Sequence, residues 1–127
     1  MAYVGEEVII KTLRKVKSST DGLDWMIIGY SEGSTDKFTV KSFGSGGVED
    51  LARHIDNTMY VYAYLRTTVN GKKSAVLIQF IGEDCTALQK ARILLHRDDV
   101  TAVLTPYSSI IQCTKTSEIV SKVINQV

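Results

Sequence analysis

Apolar residues along this chain recur with two different periods, and the changes of period mark where elements begin and end. Residues 6–17 predict a helix, because Val8, Ile9, Leu13 and Val16 fall on one face and Lys11, Arg14, Lys15 and Lys17 fall mostly elsewhere. Glu6 and Glu7 lie in its first turn, where the helix dipole favours negative charge. The stretch Ser18-Ser19-Thr20-Asp21-Gly22 ends it. Residues 24–31 predict a strand buried on both faces, since Trp25, Met26, Ile27 and Ile28 run without a polar break. Residues 37–43 set Phe38, Val40 and Phe43 against Lys37, Thr39 and Lys41, a strand with one wet face.

A short helix is expected over Val48 to Ile55, with Val48, Leu51, Ala52 and Ile55 on one face. Met59–Thr68 and Lys73–Ile81 are rich in β-formers and flank Asn70-Gly71, which suits a type I′ hairpin turn. In the first of these strands Tyr60, Tyr62 and Tyr64 share one face, and Met59, Val61, Ala63 and Leu65 the other. Thr86, with Gln89 three residues on, reads as a capping box. It opens a helix whose apolar stripe is Ala87, Leu88, Ala91 and Leu95, with Leu94 beside it. That helix is expected to run to Leu104 with a bend near Arg97, and Pro106 stops it. Ser109–Cys113 predicts a fifth strand. Thr116–Val127 predicts a last helix that packs through Ile119, Val120, Val123 and Ile124.

The order αββαββαβα predicts an α/β fold of mixed α+β type: a central mixed five-stranded sheet with helices on both faces. The long helical connection between the fourth and fifth strands implies a parallel crossover, right-handed by the usual rule. With 127 residues, no internal repeat and no linker, the expectation is a single domain over residues 1–127.

Composition narrows the function. Fifteen basic against fourteen acidic residues leave a net charge of +1, which argues against a nucleic-acid partner. The longest uncharged stretch, Val100–Thr114, is too short and too polar to span a bilayer, so the chain is not expected to be transmembrane. Two cysteines far apart in sequence suit a reducing compartment, and the expected location is the cytoplasm.

Catalytic readings find little support. Cys85 or Cys113 would need His54 or His96 as a base, and Cys113 falls in a strand expected to be central. No Cys-x-x-Cys or close histidine pair suggests a metal, and no cofactor is expected. Asp98-Asp99 reads as a cap for the helical piece from Val100. Gly44-Ser45-Gly46-Gly47 lacks the Gly-Lys-Ser/Thr ending of a phosphate loop and reads as a turn and helix cap. The chain is therefore not expected to be an enzyme.

The placement of positive charge is more informative than its sum. Arg66, Lys72 and Lys73 flank the hairpin tip. Lys90, Ile93 and Arg97 share a face of the long helix, away from the Ala91 and Leu95 stripe, with Arg92 and His96 nearby. An apolar residue between two cations suits a partner surface, and a solvated face with one tolerated isoleucine is the alternative.

Several strings, in order, resemble the actin-depolymerising factor homology (cofilin-like) domain family, and the coactosin branch in particular. They are Gly22-Leu23-Asp24-Trp25-Met26-Ile27-Ile28-Gly29-Tyr30, Tyr62-Ala63-Tyr64-Leu65-Arg66, and Ala75-Val76-Leu77-Ile78-Gln79-Phe80-Ile81-Gly82-Glu83 followed by Leu88-Gln89-Lys90-Ala91-Arg92. The string His96-Arg97-Asp98-Asp99-Val100 looks more like the drebrin-like branch. The resemblance spans nearly the whole chain. It implies a non-enzymatic, cytoskeletal F-actin-binding monomer with a five-stranded sheet and two helices on each side.

On that resemblance the long helix contributes Lys90, Arg92 and Ile93 to actin binding, with Arg97 added by its shared face. A second, filament-side surface would comprise Lys72 and Lys73 with Lys115, Glu118 and Lys122. A glia-maturation-factor-like adaptor role, or phosphoinositide binding through the same surface, is the alternative. Two departures stand out. Ser74 occupies the position where coactosins usually carry a lysine, and the start Met1-Ala2-Tyr3 lacks the regulatory serine of severing cofilins.

Overall fold

The computed structural model describes residues 3–18, 22–69 and 71–125. The elements in chain order are α1 (Glu7–Ser18), β1 (Trp25–Tyr30), β2 (Phe38–Gly44), α2 (Gly47–Arg53), β3 (Tyr60–Val69), β4 (Lys72–Ile81), α3 (Ala87–Leu95), α4 (Arg97–Val103), β5 (Ser109–Cys113) and α5 (Thr116–Ile124). The strands form one mixed sheet in the order β2-β1-β3-β4-β5. Every neighbouring pair is antiparallel except β4 and β5, which are parallel, as the helical connection between them requires. The expected α/β architecture is therefore observed, with five helices because the long helix divides. Met1, Ala2, Ser19, Thr20, Asp21, Asn70 and Val127, which entered the sequence reading, lie outside the described residues.

Alternation along the strands divides the interior in two. Met26, Ile28, Tyr30, Tyr62, Tyr64 and Leu77 face Ile9, Leu13 and Val16 of α1, Ile93 of α3 and Val100 of α4. Trp25, Ile27, Val61, Ala63, Val76, Ile78 and Phe80 face Leu51 of α2 and Ile119 and Val123 of α5. β1 is buried at all six positions, as its unbroken apolar run predicts.

Phe38, Val40 and Phe43 do share the α1 face of β2, although the last two are three residues apart. A bulge reconciles them: Ile27 pairs with Ser42 and Ile28 with Val40, so Lys41 is the extra residue. Phe43 nevertheless stays 56% exposed, because it lies near the end of an edge strand.

Smaller differences from expectation have local causes. Val8 points outward and Thr12 takes its place in the buried stripe of α1. Cys113 lies on the edge strand β5 and is buried beneath α5. Asp98 and Asp99 sit within the first turn of α4, whose N-cap is His96.

The glycine-rich stretch is a turn and helix start, as expected. Gly47 adopts φ +72°, and its N–H donates to the Asp24 carboxylate at 3.1–3.2 Å. At the hairpin, Val69 pairs with Lys72 and Gly71 adopts φ +78°, consistent with a two-residue primed turn.

Candidate functional site

The helix after β4 starts as its sequence predicts. Thr86 Oγ1 accepts from the Gln89 N–H at 3.1 Å, and Gln89 Oε1 accepts from the Thr86 N–H at 2.9 Å. Its rotation is the opposite of the one the apolar stripe suggests. Ile93 is fully buried, whereas Leu88 is 68%, Leu94 48% and Leu95 78% exposed. Ala87 and Ala91 are exposed as well. Ile93 therefore cannot sit between Lys90 and Arg97 on a partner-facing surface. Its place on the underside of α3 is against Tyr62 and the rest of the α1-side core.

Two sheet tyrosines set that rotation. Tyr62 Oη donates to the Ile93 carbonyl at 2.9 Å, and Tyr30 Oη donates to the Arg92 carbonyl at 3.1 Å. These carbonyls belong to the last turn of α3, where Arg92 also accepts from the His96 N–H at 3.3 Å. Burial pushes the Tyr30 phenol up to about 12 and moves Tyr62 in the same direction, so both remain neutral donors.

His96 ends α3 with φ −94° and ψ 5°, which places the bend one residue before Arg97. Its buried ring lies edge-on to Tyr30 and Phe38, with Nδ1 2.6 Å from Tyr30 Oη. With the phenol proton given to Arg92, a proton on His96 Nδ1 completes the chain of donors. The histidine acts as a joint between two helices.

The outward face of α3 is thus an apolar strip of Ala87, Leu88, Ala91, Leu94 and Leu95. Exposed Lys90 and half-buried Arg92 border it, and the helix carries no acidic residue. A helix normally turns its apolar stripe toward the core. Here the stripe faces solvent, which makes it a candidate interaction surface.

The remaining expected site residues fall in separate places. Arg97 is half-buried at the start of α4. Lys73 is exposed and pairs across the hairpin with Thr68. Lys72 opens β4, and its side chain lies outside the described residues. Arg66, expected among the hairpin-tip cations, is instead a clamp: its Nε donates to the Val16 carbonyl at 2.8 Å and its Nη2 to the Leu23 carbonyl at 3.1 Å.

Lys115 is exposed ahead of α5. Glu118 accepts from the N–H groups of Thr114 and Lys115, both at 3.0 Å, and these bonds hold its carboxyl down at about 2. Lys122 lies 3.5 Å from Glu118 and donates to the Gln112 carbonyl at 2.6 Å. Glu118 and Lys122 are therefore engaged in holding α5 to β5. Gln112 pairs with Gln79, six positions along β4 from Lys73, or roughly 20 Å at strand rise. The hairpin lysine and the Lys122 group are not one patch.

The profile of the cofilin/tropomyosin-type actin-binding proteins matches residues 2–127. Coactosin of Dictyostelium discoideum is 29% identical over 109 residues, covering 82% of this chain and 73% of that protein. Human coactosin-like protein superposes with a TM-score of 0.85 at 16% identity, covering 98% of this chain and 95% of the other. Mouse coactosin, described as an actin filament binding protein, superposes with a TM-score of 0.78 at 16% identity, covering 97% and 87%. At such identities the structural likeness speaks for the fold, and the profile match speaks for the family. An outward apolar strip bordered by cations, on this sheet and in this sequence, thus falls within a known group: the chain belongs to the cofilin/tropomyosin-type actin-binding protein family.

Proposed function

We propose that this protein is a cytoplasmic, coactosin-type actin-filament-binding protein that docks through the outward face of α3. The observation that carries this reading is the exposed strip of Leu88, Ala91 and Leu95. Apolar contact at the centre of such a surface supplies most of the affinity. Lys90 and Arg92 at its border, with Lys72 and Lys73 on the hairpin, steer the encounter with acidic surface on actin and make binding depend on salt. Lys115 is in no ion pair among the described residues and is a weaker contributor. The description of mouse coactosin as an actin filament binding protein supports the filament as the target.

The test is co-sedimentation with filamentous actin across a salt series, with monomeric actin in parallel. The expected result is salt-sensitive pelleting with filaments, weakened about tenfold or more in a Leu88→Ser/Leu95→Ser variant, as for loss of interface anchors. Lys72→Ala together with Lys73→Ala should weaken pelleting less and flatten the salt dependence. Equal pelleting of the leucine variant and the parent chain would remove α3 from the interface. A folded chain that never pellets at low salt would favour the adaptor or phosphoinositide reading of the same surface.

A further inference from the structure

Between the end of α1, the start of β4 and the segment joining α4 to β5 lies a groove of about 360 Å³. Among the described residues its cations are Lys17, Arg66 and Lys73, and no carboxylate lines it. None of the three is ion-paired among the described residues. Three positive charges gathered with no counter-ion among the described residues repel one another, in a chain whose net charge is only +1. A bound anion relieves that repulsion.

The groove is also built to hold a shape. The two hydrogen bonds from Arg66 to the Val16 and Leu23 carbonyls fix its guanidinium plane, and among the described residues Nη1 has no partner. Tyr64, Pro106 and Tyr107 are among the residues that wall it. Tyr64 is buried, and its hydroxyl bonds the Pro106 carbonyl at 2.5 Å, which ties one wall to the other. A cationic rim above flat apolar walls suits a ligand with a dianionic end and a flat ring. The volume lies within the range of about 300–1,000 Å³ usual for small-molecule sites.

We propose that this groove binds a nucleoside monophosphate, with the phosphate on Lys17, Arg66 and Lys73 and the base against Pro106 and Tyr107. A phosphate monoester carries nearly two negative charges at neutral pH, which matches three cations better than a single carboxylate does. The site stands whether or not the chain binds filaments.

The experiment is a titration of the isotope-labelled full chain, followed by amide chemical shifts, with AMP at low salt. Adenosine, inorganic phosphate and inositol hexakisphosphate are titrated separately. AMP is expected to shift the amides of Ala75, Tyr107 and Ser108 saturably. Adenosine and phosphate should each bind about tenfold or more weakly, because each keeps only half of the contacts. Lys17→Gln/Lys73→Gln should weaken AMP about tenfold or more. Both lysines are exposed, so the variant keeps its fold, which its own amide spectrum checks. A Tyr107→Ser variant should lose the advantage of AMP over phosphate. Absence of saturable shifts, unchanged affinity in the folded lysine variant, or phosphate or inositol hexakisphosphate equalling AMP would each overturn the site.

Discussion

The Tyr62 hydroxyl on β3 donates a 2.9 Å hydrogen bond to the main-chain carbonyl of Ile93 on α3, and both residues are fully buried. With the bond from Tyr30 to the neighbouring Arg92 carbonyl, it ties the underside of α3 to the sheet. The leucines on the other side are thereby held toward solvent. The same contact that completes the core presents the candidate docking surface.

This geometry separates two isoleucine- and leucine-sized positions on one helix. Ile93→Ala should cost about 2–5 kcal/mol, the usual range for a large-to-small change in a packed core. Leu95→Ser should change stability by about 0.5 kcal/mol or less, as surface substitutions do. Urea unfolding of the two variants checks this. A destabilising Leu95→Ser with a neutral Ile93→Ala would mean that α3 is rotated the other way.

The sheet, by contrast, was readable from the sequence almost to the residue. The run from Trp25 to Ile28 marks a buried strand, the alternating tyrosines of β3 mark its two faces, and Asn70-Gly71 marks the hairpin. These signals are local, and the pleat converts them directly into faces. The rotation of α3 was not readable in this way. Periodicity says which residues share a face, but not which face meets the sheet. Ala87, Leu88, Ala91 and Leu95 outnumber Ile93, so counting favours the wrong side. A hint was present all the same: a second apolar position opposite the stripe implies a helix with two apolar faces. The clamp made by Arg66 was hidden for another reason. Its acceptors, the carbonyls of Val16 and Leu23, are main-chain groups more than 40 residues away, and no side-chain pattern announces them.

The buried tyrosines give the fold an alkaline weakness. Burial raises the phenols of Tyr30, Tyr62 and Tyr64, Tyr30 to about 12. The folded state therefore disfavours ionisation. The stability this provides is fully present below about pH 10, the unfolded phenol value, and is lost as pH rises through the raised folded values. Urea midpoints should fall steadily above about pH 10. Tyr62→Phe should lower stability by about 1–3 kcal/mol at neutral pH, because the Ile93 carbonyl is left buried without a donor, and should make the alkaline decline shallower. A Tyr62→Phe decline parallel to that of the parent would show that Tyr62 does not ionise on unfolding.

Thiol chemistry is tested by reactivity. Burial pushes Cys113 up to about 11 and Cys85 upward, and both are free and buried. A disulfide reagent at about pH 8 should react slowly with the native chain and titrate two thiols in urea, since the thiolate is the reacting form. Fast reaction of either cysteine in the native state would restore it as a candidate nucleophile.

At the opposite end of the pH scale, Glu118 governs α5. Its carboxylate accepts from the N–H groups of Thr114 and Lys115 and from the Thr114 hydroxyl, and it lies beside Lys122. The main-chain bonds are the larger cause of its depression to about 2. A depressed carboxyl contributes stability that is present above its unfolded value, near pH 4.5, and lost as pH falls through about 2. Both main-chain donors bond the same oxygen, Oε1, so Glu118→Gln keeps an acceptor for them but removes the charge and the oxygen that faces Lys122. Its urea midpoint should lie below that of the parent at neutral pH, and the two should converge as the parent is acidified through this window. Amide exchange should rise first at Thr114 and Lys115, whose protons the carboxylate holds. A variant whose deficit persists unchanged at the lowest pH would assign the effect to packing of α5 rather than to the ionised carboxylate.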